Sequence, residues 1–241
     1  MGPRDTAVME QEYASGGGAG LSPGALAWVT RHVETRLTAQ LSNPVAPDLP
    51  PGAVDYQLDF VLPWIPAGSD AEFPDLEALL TSIVGGSQDL AGESVIDVVL
   101  GGADLAVVEV HHLSLLDALD ARTQGLTDLY PPLFSRGDLD QELAETLANP
   151  GSSHAILIDE LTLEIPWQDT HVASIGLGLG LTELCRGCSF AALDIAVAGE
   201  HQMAAQDLGF RPWRQGISIL DLALTTLEIK VSALLIDGVR W

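Results

Sequence analysis

Between residues 154 and 226 the chain switches repeatedly between the period-two pattern of a strand and the longer period of a helix, and few folds accept that order. Residues 154–165 alternate over one long predicted strand, with Ile156, Ile158, Leu161, Leu163 and Ile165 as its apolar set. Pro166 marks a turn, and the apolar, glycine-containing segment 172–185 then reads as a helix. A strand at about 189–197, a helix at 200–208 and strands near 211–214 and 217–225 follow. This order predicts an α/β (α+β) chain with a mixed central sheet of about six to seven strands flanked by helices.

The upstream sequence supplies the remaining elements. Residues 54–60 alternate as a strand that Pro63 and Pro66 end, and Leu76, Leu79, Leu80 and Val84 predict a helix over 74–84. Strands at 94–100 and 104–112 flank Gly101-Gly102, a dipeptide that predicts a hairpin turn. Helical spacing then runs from Leu115 to Leu129, stopped by Pro131-Pro132, with a second short helix over 138–148. Ser22 is a candidate N-cap for a helix reaching about Leu41, with Ala25, Leu26, Val29, Val33 and Leu37 on its apolar stripe. The glycines at 16–18 and 20 suggest a mobile tail over 1–22, and the prolines of 43–52 suggest a linker. The expected organisation is therefore a tail (1–22), an N-terminal helix and linker (23–52), and one domain (53–241) with a helical insertion at about 114–148.

Composition narrows the partners. The chain of 241 residues carries 34 acidic and 10 basic side chains, a formal net charge of -24. Nucleic acid and anionic membranes reward clustered Lys and Arg, so neither is expected as a partner. A cationic small molecule or a basic peptide surface is favoured instead. Cys185 and Cys188 form a lone CxxC, which cannot by itself complete a tetrahedral zinc site. It follows an apolar run where a helix should end, so structural thiols are expected. His111, His112, His154, His171 and His201 have no HExxH-type spacing, and no metal is expected. The start of the chain has no charged segment leading into an apolar run, which points to a cytoplasmic protein.

Over about 154–226 the chain resembles the GCN5-related N-acetyltransferase (GNAT) superfamily as a divergent member. That family places a long strand before a loop of the form Gln/Arg-x-x-Gly-x-Gly/Ala, which opens a helix. Gln168-Asp169-Thr170-His171-Val172-Ala173 stands at the loop, after a strand ending in Pro166-Trp167. Leu208-Gly209-Phe210 resembles the segment that closes the fourth family helix. The resemblance implies an acyl-CoA-dependent N-acyltransferase acting on an amine acceptor, with acetyl-CoA or another acyl-CoA as co-substrate. A binding or assembly module on the same scaffold is the alternative. The implied pyrophosphate site is Gln168, Asp169, Thr170, His171, Val172, Ala173 and Ser174, where backbone N–H groups at a helix N-terminus favour an anion.

The residues themselves qualify that expectation. His171 replaces the central glycine of the loop, so its ring either crowds a phosphate or, protonated, contacts it. Gly176, Gly178 and Gly180 form a richer glycine run, but a phosphate loop there would leave too short a helix before Arg186-Gly187. They fit better inside the helix, letting it lie close to the sheet. Candidate general bases are Glu160 and Glu164 on the preceding strand; His111 and His112 are others. Ala205 occupies the position of the family's frequent general-acid tyrosine. The apolar tail after 226 fits packing on the body or at a homodimer interface.

Overall fold

Ser22 caps helix α1 (Pro23–His32): its hydroxyl accepts the Ala25 N–H at 3.3 Å, and Pro23 takes the first turn, where a missing N–H leaves no bond unmade. The structure, a computed structural model, describes residues 20–40, 52–67, 71–84, 95–168, 170–195, 199–224 and 227–237. The expected tail (1–22) and linker (43–52) lie mostly outside these residues.

The helix predicted to reach Leu41 stops at His32. Strand β1 (Glu34–Gln40) follows and pairs antiparallel with β2 (Ala53–Trp64) from Glu34↔Val61 to Gln40↔Asp55. Thr35, Leu37 and Ala39 fit a strand as well as Leu37 fits a helical stripe, and a full ladder with β2 decides between them. Ala25, Val29 and Val33 are buried in the main core, so the packing does not divide at residue 53.

Helix α2 (Pro74–Val84) leads to β3 (Ile96–Glu109), one strand where a hairpin was expected. Gly101 and Gly102 lie in mid-strand, paired with Phe60 and Asp59 on one side and with Leu163 and Thr162 on the other. Neither has the positive φ that a tight hairpin turn requires. A Cβ on Gly102 would come within 2.8 Å of the Leu58 carbonyl oxygen, and one on Gly101 would overlap the Thr162 carbonyl. The glycines serve close approach of backbones next to the register shift at Phe60/Val61.

The insertion holds α3 (Leu115–Asp120), α4 (Gln124–Leu133), the two-stranded ribbon β4 (Phe134–Ser135) and β5 (Asp138–Leu139), and α5 (Gln141–Thr146). Thr123 caps α4, its Oγ1 accepting from Leu126 N at 3.1 Å, and so breaks the predicted Leu115–Leu129 helix in two. Pro131 and Pro132 sit inside the last turn of α4 instead of beyond its end. The readable C-terminal part follows as β6 (His154–Leu163), a 3₁₀ turn (Ile165–Trp167), α6 (Val172–Leu184), β7 (Cys188–Asp194), α7 (Glu200–Leu208), β8 (Arg211–Pro212), β9 (Ile217–Asp221) and α8 (Leu227–Asp237).

Seven strands form one mixed sheet in the order β1-β2-β3-β6-β7-β9-β8, with β6–β7 its parallel pair. This is the expected mixed α/β architecture, consistent with a GNAT-like arrangement. One face carries α1, α2, α6, α7 and α8 over a core that includes Leu58, Phe60, Leu100, Ile158, Trp167 and Leu177. On this side α6 lies against the sheet, and Cβ atoms on Gly176 and Gly180 would overlap the side chains of Phe60 and Leu58. Gly178 faces Leu208 and Val231, at 2.9 and 2.5 Å from its absent Cβ, so α7 and α8 pack there. The other face is covered over part of its length, where α3, α4 and α5 bury Ala106, Val108, Ala155, Leu157, Phe190 and Ile219.

Candidate functional site

Two places bear on function: the start of α6 and the uncovered end of the sheet. At the first, β6 pairs in parallel with β7 between His154↔Cys188 and Ile158↔Leu193. Beyond Ile158 it continues beside β3 alone. The strands thus part toward the end of β6 from which the chain turns into α6. Trp167, at this turn, is fully buried and its indole N–H meets no hydrogen-bond partner.

The loop folds on itself and on α7. The Gln168 amide reaches back to the Leu163 carbonyl at 3.4 Å, and Thr170 Oγ1 accepts from Val172 N at 3.4 Å. Asp169 lies outside the described residues. His171 is the N-cap residue of α6, and its Nδ1 lies 2.8 Å from Oδ2 of Asp207 on α7. The Ser174 hydroxyl donates to the same oxygen at 2.6 Å. The α6 N-terminus therefore carries the chain's own carboxylate, the charge that a helix dipole favours there. Val172, Ala173 and Ser174 are at most 1% exposed. Burial pushes the Asp207 carboxyl up, but the bonds from His171 and Ser174 outweigh it and lower its pKa. The bond to Asp207 raises that of His171. His171 is committed to a carboxylate, a role open to neither reading of it as a phosphate neighbour alone. Ala205 is buried in α7.

The second place is the bare end of the sheet. Strand register sets two cross-strand rows on this face: Gln57–Asp104–Glu160 and Asp59–Gly102–Thr162. No helix of the described residues covers them. Glu160 and Glu164, predicted to share a face, line one open pocket of about 260 Å³ with Asp59, Asp104 and Thr162. Glu164 lies just past β6, its N–H bonded to the Leu100 carbonyl at 2.9 Å. Asp104 and Asp159 also line an adjoining pocket of about 280 Å³ with Asp55 and Arg122. Among the described residues that line either pocket, Arg122 is the one base, and it is already committed. Its Nε donates to Asp55 at 2.6 Å and its Nη2 to the Ala53 carbonyl at 2.8 Å. Like charges opposite each other on neighbouring strands are unfavourable. Partial burial, then the charges of Glu160, Asp159, Asp59 and Asp55, raise the pKa of Asp104. Perturbed carboxyls in a cleft mark candidate sites.

The other sequence candidates lie elsewhere. His111 and His112 follow the far end of β3, with His111 on the surface 3.2 Å from Asp138. Cys185 and Cys188 are free thiols, and burial, with Cys185 nearby, pushes the Cys188 thiol up to about 11, far from a reactive thiolate. His201 is buried, with Nδ1 2.8 Å from the Asp194 carbonyl oxygen. Sequence reasoning missed Asp207, Asp59 and Asp104, and placed Asp159 on the acidic strand without giving it a role. The alternation that predicts β2 places Asp55, Gln57 and Asp59 on one face, a usable signal. Asp207 gave none, because its partners sit 33 and 36 residues earlier.

No family model matches this chain, and neither do curated proteins or solved structures. No helix among the described residues is long and apolar enough to cross a membrane.

Proposed function

We propose that the protein binds a cationic ligand, a polyamine or a basic peptide segment, on the bare acidic end of a GNAT-like sheet, and does not hold coenzyme A at the start of α6. One observation carries the reading. Asp104 and Glu160 face each other across β3 and β6, ringed by further carboxylates, with the lining base already paired. Such an arrangement is unfavourable alone and relieved by a cation. The net charge of -24 adds a field that draws cations from a distance. The start of α6 supports the negative half of the reading: a pyrophosphate would meet the Asp207 carboxylate and buried amides.

Acyl transfer is the second reading. It is favoured by the turn from β6 into α6 beside the parting strands, by Glu160 on the strand that precedes it, and by Glu164 just past that strand's end. A carboxylate there would take the proton of an ammonium acceptor, provided that Asp207 first swings away. Calorimetric titration with spermine and, separately, with acetyl-CoA decides between them. Heat with spermine that falls with added salt, and none with acetyl-CoA, is expected. Acetyl-CoA binding with acetylation of spermine would establish the second reading. No heat with either would remove both.

A further inference from the structure

A third concave site lies on the helix-covered side, between α1, the end of β2 and the start of α2. It measures about 290 Å³. Three aromatic side chains line it, Trp28 from α1, Trp64 from β2 and Phe73 just before α2, together with the carboxylates Glu72 and Glu77. No base lines it among the described residues.

The fold fixes these groups in place. Gly24 brings the Phe73 ring against α1, since a Cβ there would stand 3.0 Å from the ring. The Ser22 N–H donates to Asp75, tying the start of α1 to that of α2. His32 stacks on Trp28 with 4.3 Å between ring centroids and holds the indole's orientation. Glu77 accepts from the Trp64 indole N–H through Oε2 and from Ala67 N through Oε1, both at 3.0 Å.

That last pair of bonds selects the ligand. The Trp64 N–H is engaged and the residue is only 4% exposed, so Trp64 forms the pocket's floor and the half-buried Trp28 and Phe73 supply the accessible aromatic surface. Glu77 offers a fixed negative charge whose two oxygens each already hold a donor. An anion meets carboxylates and aromatic faces, both repulsive. A primary ammonium brings three N–H donors that share the inner carboxylate with the Trp64 and Ala67 donors already on it, and the aromatic walls offer those N–H groups no acceptor. A cation sheathed in methyl groups needs no acceptor, gains from the carboxylate field and packs on aromatic faces.

We propose that this pocket binds a quaternary or fully methylated ammonium group. The inference stands apart from the acidic sheet face: it uses other residues on the other side of the sheet.

The test is calorimetry with choline, with a peptide carrying trimethyl-lysine, and with dimethylbutanol, the uncharged carbon isostere of choline. Choline or the peptide should bind, and the tighter of the two identifies the source of the group, small molecule or protein tail. Dimethylbutanol should bind about tenfold more weakly or not at all, the margin expected of a partly desolvated cation–π site. Trp28→Leu should weaken the cation about tenfold. Glu72→Gln, an exposed change that the fold should accept, should weaken choline and leave dimethylbutanol unchanged. Choline binding should survive Asp104→Asn, so this site and the acidic face fail or succeed separately. No binding of either cation, equal binding of the isostere, or indifference to both Trp28→Leu and Glu72→Gln would overturn the proposal.

Discussion

Replacing Asp207 by Asn tests the clasp between α6 and α7. The amide keeps the shape of the carboxylate and removes its charge. Two bonds change, from His171 Nδ1 at 2.8 Å and from the Ser174 hydroxyl at 2.6 Å. Hydrogen bonds to charged groups contribute about 1.5–3 kcal/mol each when well buried. The His171 and Asp207 side chains are 30% and 18% exposed, so water competes. The two bonds together then contribute about 2 kcal/mol. At about 2–4 °C per kcal/mol for a chain of this size, Tm should fall by about 4–8 °C. The pH dependence has a definite sign. The folded pKa of His171 is raised above 6.5, so its contribution is complete below 6.5 and lost as pH rises through the folded value. The folded pKa of Asp207 is lowered below 3.8, so its contribution is present above 3.8 and lost as pH falls through the folded value. The clasp is therefore strongest between 3.8 and 6.5. Melting curves of both proteins from about pH 5 to about pH 9 should show a Tm gap that is wide at the acid end and narrows at the alkaline end. A gap independent of pH, or none at all, would refute the paired-charge account.

Gly176→Ala gains about 1 kcal/mol of helix propensity but drives a methyl into Phe60, and overpacking of about 1–3 kcal/mol should leave a net loss in urea unfolding. Arg122→Ala strands Asp55 and two backbone carbonyls under a side chain only 7% exposed, so it should cost about 3 kcal/mol and lower Tm in thermal melts. Asp104→Asn should act in opposite directions on two readouts. It should raise stability by about 0.5 kcal/mol by removing like-charge repulsion, and weaken spermine binding several-fold in calorimetry. A loss of stability without a loss of affinity would count against the acidic face as a ligand site.

Much of the architecture was legible because period and breakers agree along the last third of the chain. The predicted helix at 200–208 is α7, and the predicted 172–185 is α6 within a residue. Of the glycines inside α6, Gly176 and Gly180 were rightly read as contact points with the sheet, whereas Gly178 meets α7 and α8. Where two physical rules give the same local pattern, the reading failed. Gly101-Gly102 serves a tight turn or a close backbone approach, and only the neighbouring strands decide. Leu37 suits a helix stripe or a strand, and pairing with β2 settles it. At the site, Glu160 and Glu164 were legible as carboxylates that line one face, although β6 ends at Leu163 and Glu164 caps the turn after it. Asp104 was not, because its meaning comes from the residue opposite it in another strand. Asp207 was not, because a clasp between two helices leaves no periodic trace in either.

The most direct measurement is amide chemical-shift mapping during a spermine titration, followed by acetyl-CoA on the same sample. Binding at the bare acidic end predicts that spermine moves the resonances of Gly102, Asp104, Glu160 and Thr162, which lie in the two cross-strand rows, and of Gly101, which lines the pocket beside them. The same account predicts that Val172, Ala173 and Ser174 stay still when acetyl-CoA is added. Shifts at those three residues with acetyl-CoA, and none around Asp104 with spermine, would contradict it.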